Sequence, residues 1–177
     1  MRQPLTETRL RELFEKMGAY GKGPGTVYVT GGATAVLFGW RSTTIDVDLK
    51  MDPEPSGVFE AIAQLKDEMQ VNIELAAPDQ FVPALPGWRE RSRWIASQGE
   101  IDFYHYDFYG QALSKIERGL EKDWGDVEAM VQGGLVETKR LLELFGEVES
   151  KLVNYPAIDP GSFKAALIDF IHKHESD

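Results

Sequence analysis

The chain has 177 residues, 42% of them hydrophobic, and 19 Lys+Arg against 29 Asp+Glu give a net charge of −10. That length suits one domain, or one domain with a helical appendage, and can bury roughly 70% of the surface an unfolded chain exposes. The absence of cysteine excludes disulfide scaffolds, thiolate metal sites and cysteine nucleophiles, and the acidic balance argues against a broad nucleic-acid-coating surface.

No apolar run approaches the roughly 20 residues needed to cross a bilayer, and Met1 to Glu7 carries no apolar signal-peptide core. The expectation is a cytoplasmic protein with no membrane partner. Thr6 to Met17 reads as an amphipathic helix, capped by Thr6 and turning Leu10, Leu13, Phe14 and Met17 to one side. Gly18 and the run from Gly21 to Gly25 should stop it. That run lacks the spacing and the Lys-Ser/Thr end of a phosphate loop and reads as a connector. Thr26 to Thr30 is a β-branched strand, Ala33 to Phe38 a short helix, and Thr43 to Met51 a second strand with Ile45, Val47 and Leu49 on its core side. Val58 to Glu68 predicts a helix with Phe59, Ile62, Ala63 and Leu65 inward. A third strand covers Val71 to Leu75. A proline-rich connection follows, with Phe81 and Trp88 as anchors. Arg93 to Ser97 and Ile101 to Tyr106 form a hairpin turning at Gly99.

Beyond Gly110 the pattern becomes helical: Gln111 to Arg118, Asp123 to Val131, Val136 to Leu152, then Phe163 to His172 with Ser162 as its cap. The last three residues should fray. Strands mixed with helices, followed by helices alone, give an α+β fold: a mixed sheet flanked by helices over residues 1–110, then a C-terminal helical region, 111–177, packed on it.

The informative stretch is Gly31-Gly32, a short helix, then Asp46-Val47-Asp48. Alternation along a strand puts Asp46 and Asp48 on one side, about 7 Å apart. Asp102 opens a later strand, with Ile101 and Phe103 facing the other way. If it lies beside Asp46 and Asp48, three negative charges converge. Two unit charges 4 Å apart cost about 4 kcal/mol at an effective dielectric of 20, so the cluster needs a cation, a proton or a basic partner. Magnesium joins carboxylates to substrate phosphates, and the amides of a Gly-Gly turn can approach a phosphate at a helix start. Carboxylates, metal and phosphate amides together make a phosphoryl- or nucleotidyl-transfer site.

Val29-Thr30-Gly31-Gly32 and Gly39-Trp40-Arg41-Ser42-Thr43-Thr44-Ile45-Asp46-Val47-Asp48-Leu49 resemble the signature of the nucleotidyltransferase superfamily, the polymerase-β-like fold. The Gly-x-Arg-x-x-Thr-x-Asp-x-Asp form of Gly39 to Asp48 is similar to that of AbiEii-like nucleotidyltransferases, including toxins of toxin–antitoxin systems. Lys115-Ile116-x-Arg118 and Lys122-Asp123-x-x-Asp126 resemble the downstream helical motif of that group. The resemblance implies Mg2+ held by Asp46, Asp48 and Asp102, with Asp102 as general base, NTP bound at Gly31, Gly32, Arg41, Lys115 and Arg118, and Asp126 in the site. It implies transfer of NMP from NTP to a hydroxyl, with tRNA as acceptor and a cognate antitoxin as partner. Glu74, which also faces away from apolar neighbours, rivals Asp102 for the third carboxylate. Transfer to a small molecule or a protein, or a non-catalytic nucleotide- or partner-binding domain, are the alternatives.

Lys115, Arg118, Lys122 and Asp126 share a stripe if their segment is one helix, opposite Leu113, Ile116, Leu120, Trp124 and Val127. Gly119 can break it, and Asp123 can simply cap the next helix. Arg41 can pair with a catalytic carboxylate or contact phosphate. Arg89, Arg91 and Arg93 share a side on an extended segment, able to meet an RNA backbone or to pair with nearby acids such as Glu90 and Glu100. His105 reads as a packed residue, and no metal role is expected for His172 or His174.

Overall fold

The computed structural model describes residues 1–175. Ser176 and Asp177, expected to fray with Glu175, lie outside the described residues, and Glu175 itself ends a helix. The chain divides into two compact units, residues 1–77 with 92–106, and residues 78–91 with the chain from Asp107 onward. The fold is α+β: a mixed sheet with flanking helices and a helical C-terminal region.

The first unit opens with α1 (Glu7–Tyr20). The Thr6 hydroxyl accepts from Arg9 N at 3.3 Å, and the buried stripe is Leu10, Leu13, Phe14 and Met17. The helix continues through Gly18, which therefore does not stop it. A Cβ there would lie 2.6 Å from Gln98 Cβ, so this glycine serves a close approach. There follow β1 (Gly25–Thr30), α2 (Gly32–Phe38), β2 (Asp46–Met51), α3 (Val58–Met69), β3 (Asn72–Glu74), β4 (Arg93–Gln98) and β5 (Ile101–His105).

Among the described residues five strands form one sheet in the order β3-β2-β1-β5-β4. β1 runs antiparallel to β2 and parallel to β5; β2 and β3 are parallel, and β4 and β5 form the antiparallel hairpin. Val27, Val29, Val47, Leu49, Ile73, Ile101 and Phe103 share one core cluster with α1 and α3. Alternation then puts Thr26, Tyr28, Thr30, Asp46, Asp48, Asn72, Glu74, Asp102 and Tyr104 on the other face.

Three inward assignments change. Ile45 is 48% exposed because β2 begins only at Asp46; Thr44 before it makes an isolated bridge to Leu5. Phe59 is 54% exposed and Ala63 is exposed, since α3 buries Val58, Ala61, Ile62, Leu65 and Met69, and each of the two lies off that stripe.

In the second unit α4 (Trp88–Arg91) precedes α5 (Phe108–Arg118), α6 (Glu121–Gln132), α7 (Thr138–Val148) and α8 (Pro160–Glu175). Buried Leu113, Ile116, Val127, Met130, Leu141, Leu144, Phe145, Phe163 and Leu167 make its interior, with Phe145 and Phe163 edge to face at 5.1 Å. Gly119, at φ +69°, separates α5 from α6. The single stripe therefore becomes two helices, and Leu120 is 48% exposed. Phe81, at 54% exposed, is no anchor, whereas Trp88 is buried. Ser162 is not the cap of the last helix. Pro160 starts α8, and Asp159 accepts from Gly161 N at 3.2 Å and from the Ser162 hydroxyl at 2.7 Å. Among the described residues no helix is long and apolar enough to cross a membrane.

Candidate active site

Two strands and a turn build the site of the first unit. In the β1–β2 register Thr30 faces Asp48, so the turn after β1 lies beside the start of β2. Gly31 there has φ +67°, a conformation open to glycine. A Cβ on it would lie 3.1 Å from Asp48 Oδ2, so the turn backbone and the carboxylate abut. Gly32 starts α2. A Cβ there would meet Thr44 Oγ1 at 2.2 Å and would stand 3.6 Å from Arg41 Nη1. Position 32 has no room for a side chain, position 31 takes one only if Asp48 shifts, and Arg41 reaches the same turn. The Thr44 hydroxyl donates to Asp46 O at 3.0 Å and steadies the entry to β2.

The β2–β3 register pairs Asp46 with Asn72 and Asp48 with Glu74. Asn72 Nδ2 donates to Asp46 Oδ1 and to Glu74 Oε1, each at 2.8 Å. Asp46, Asp48 and Glu74 thus share one face of two neighbouring strands. Asp102 is not brought to them. It pairs with Thr26, four residues before Thr30, on a strand two places from β2. That separates it from Asp48 by about 13 Å along the strands and about 10 Å across them. The β5 position level with Thr30 is residue 106, whose N donates to Val29 O at 2.8 Å; it is a tyrosine. Asp102 Oδ1 instead accepts from the Ser97 hydroxyl at 2.6 Å, and Ser97 Oγ accepts from Trp94 Nε1 at 3.1 Å. The expectation that Asp102 completes the carboxylate cluster is corrected: alternation fixed its face, but the parallel register put it at the wrong end of β5.

Among the described residues no three His, Asp or Glu side chains are set to hold a metal ion by themselves. Magnesium commonly uses one or two carboxylates, water and substrate phosphates. Asp46 and Asp48, one residue apart on one face and level with the Gly31 turn, fit that donor set.

Behind the turn, buried His105 of β5 bonds Thr34 of α2, Nδ1 to Oγ1, at 3.0 Å, and Thr34 Oγ1 donates to Val29 O at 3.2 Å. Burial, followed by the positive charges of Arg11 and Arg93, pushes the imidazole down to about 3. His105 is the packed residue its strand context suggests.

The remaining expected residues lie in the second unit. Lys115, only 8% exposed, sits 2.8 Å from Asp126 Oδ2 and 3.7 Å from Asp123 Oδ1. Arg118 contacts both Asp123 oxygens, at 2.8 and 2.5 Å, and Asp123 Oδ2 also accepts from Leu120 N at 3.2 Å. Burial pushes the Asp123 carboxyl up, but Arg118, Lys115 and the Leu120 amide outweigh it and hold the group below its ordinary value. Asp123 therefore caps α6 and ties it to α5. The arginine row does not form. Trp88–Arg91 is a helical turn, Arg91 is bidentate to buried Asp107 at 3.1 and 2.7 Å, and Arg89 lies over the Trp88 ring at 4.4 Å. Asn72 and the Arg91–Asp107 pair carry no sequence signal of their own, because each acts through a tertiary partner.

A family match now adds to this geometry. Residues 8–172 match the family described as "Nucleotidyltransferase of unknown function (DUF6036)". The chain belongs to that family. Neither curated proteins nor solved structures returned a match. Membership supports the nucleotidyltransferase superfamily and nucleotidyl transfer in general, with an NTP as substrate. The match spans both the Gly-Gly turn with its Asp-x-Asp strand and the Lys115–Asp126 helices.

Proposed function

We propose that this chain is a magnesium-dependent nucleotidyltransferase that moves NMP from NTP to a hydroxyl acceptor. The observation that carries the reading is that Asp48 faces the Gly31 turn, so closely that a Cβ on Gly31 would stand 3.1 Å from its Oδ2, with Asp46 on the same face and Glu74 in register beside it. In this reading Asp46 and Asp48 hold the metal, and the Gly31-Gly32 turn with Arg41 receives the triphosphate. A bound magnesium ion would join the two carboxylates to the phosphate oxygens and offset charge developing there. The acceptor oxygen bonds to the α-phosphorus as the bond to the bridging oxygen breaks, and pyrophosphate leaves. Glu74 takes the acceptor's proton in place of Asp102. Lys115 and Arg118 as NTP ligands, and Asp126 as a site residue, rest on the family resemblance.

The AbiEii-like resemblance favours tRNA as acceptor and a cytoplasmic toxin held by a separate antitoxin. The net charge of −10 and the engagement of Arg91 with Asp107 favour a small-molecule or protein hydroxyl instead. Incubation with Mg2+ and α-labelled NTPs, offered total tRNA, protein or small-molecule extract, decides between them. Label in any fraction, lost in Asp46→Asn, supports the transfer. Label in none, with wild type and Asp46→Asn alike, favours a domain without turnover.

A further inference from the structure

The carboxylate face contains one group that neither nucleotide transfer nor sheet formation requires. Asn72 places a single carboxamide nitrogen between two acids, Asp46 Oδ1 and Glu74 Oε1, at 2.8 Å each. The two acids belong to different strands, and Asp46 lies directly across from Asn72 in the register. An amide nitrogen has two hydrogens in one plane. Here both are directed to carboxylates that would otherwise repel each other across the β2–β3 gap.

The residue type matters. A lysine at 72 would bring a positive charge that competes with a divalent cation. An aspartate would add a fourth negative charge and no donor. Asparagine is neutral and donates twice, so it holds like charges together and leaves the electrostatic attraction for a cation undiminished. Hydrogen bonds to the carboxylates that bind a metal commonly set both their orientation and their affinity.

We infer that Asn72 is a positioning residue that preassembles Asp46 and Glu74 for a divalent cation and acceptor proton transfer. This rests on the nucleotidyltransferase reading above. β3 is a three-residue strand with Asn72 at its start. The cross-tie therefore also fixes where Glu74 stands relative to Asp46, which three ladder pairs alone would hold loosely.

The test uses the full chain and reads metal binding rather than turnover. Free Mn2+ is followed by electron paramagnetic resonance while protein is titrated, with α,β-methylene analogues of the four ribonucleoside triphosphates present. Thermal melting without metal is recorded in parallel. Asn72→Ala is expected to weaken Mn2+ binding roughly 10-fold or more, with a melting temperature close to that of wild type. Asn72→Asp, which preserves the shape and removes the donor, is expected to fall on the same side of wild type despite its added carboxylate. It also serves if the alanine variant does not fold. Mn2+ affinity within twofold of wild type in Asn72→Ala would overturn the inference. So would tighter binding in Asn72→Asp, which would make position 72 a ligand. Wild-type protein that binds no Mn2+ would overturn the nucleotidyltransferase reading as well, so the two failures are distinguishable.

Discussion

The Asp48 carboxylate faces the bare Cα of Gly31: a Cβ on Gly31 would stand 3.1 Å from Asp48 Oδ2, on a backbone with φ +67°. The substitution Gly31→Ala therefore does two things. It forces an L-residue into a strained conformation, at a cost of about 1–3 kcal/mol, and it pushes the Asp48 carboxylate away from the turn. A drop in melting temperature of a few degrees is expected, with a fall in nucleotidyl transfer larger than the lost stability explains. Calorimetry together with pyrophosphate release checks both.

The carboxylates sort by register. Asp46→Asn, Asp48→Asn and Glu74→Gln are expected to lower transfer at least 100-fold. Their stability should change little, because surface substitutions of this kind stay within about 0.5 kcal/mol. Asp102→Asn should leave transfer within about twofold of wild type, since Asp102 accepts from Ser97 at the far end of β5, away from the Gly31 turn. Single-turnover rates for the four variants separate them.

Strand, helix and face were legible at Asp46, Asp48 and Glu74, because polar residues alternate with Val47 and Ile73, which enter the core. The third carboxylate was not legible, since side-chain alternation says nothing about how far one strand has slid along another. A clue was present in β2–α3–β3. Two strands joined by a helix of 12 residues form a parallel pair, which makes β3 a neighbour candidate for β2 and Glu74 a rival carboxylate, but the pairing of Glu74 with Asp48 is set by the register. The arginine row failed for a different reason: buried Asp107, sixteen positions from Arg91, recruits it. Asn72 was illegible because its partners are two acids rather than a motif.

In the second unit Lys115 is buried between Asp126 and Asp123. Replacing it with methionine removes the cation 2.8 Å from buried Asp126 while Arg118 still holds Asp123, at a cost of about 3–5 kcal/mol. Asp126→Asn in the same background should recover part of that loss. Urea denaturation of the single and double variants measures the coupling.

Asp123 adds a pH dependence. Its folded pKa lies below the ordinary value, so its contribution is complete above the unfolded carboxylate pKa and is lost as pH falls through the folded one. Asp123→Asn is expected to flatten the acid limb of the stability profile below about pH 4, at a lower overall stability.

His105 acts over a different window. Its folded pKa, about 3, lies below that of a free imidazole. Between about pH 6.5 and 3 the unfolded chain takes up a proton that the folded chain refuses. This group alone lowers stability by about 1.4 kcal/mol per pH unit on acidification. His105→Gln should lose that slope and retain the remainder of the acid limb. Denaturation midpoints at pH 7, 6 and 5 measure the difference.

Nucleotidyl transfer on this face requires a divalent ion on Asp46 and Asp48 at the Gly31 turn. A crystal structure with Mn2+ and non-hydrolysable triphosphate, read by anomalous scattering, tests it directly. The predicted peak touches one oxygen from each of Asp46 and Asp48, with triphosphate oxygens completing the shell beside Gly31. A peak at Asp102, or a bound triphosphate with no ion on the Asp46–Asp48 face, would rule out this metal site.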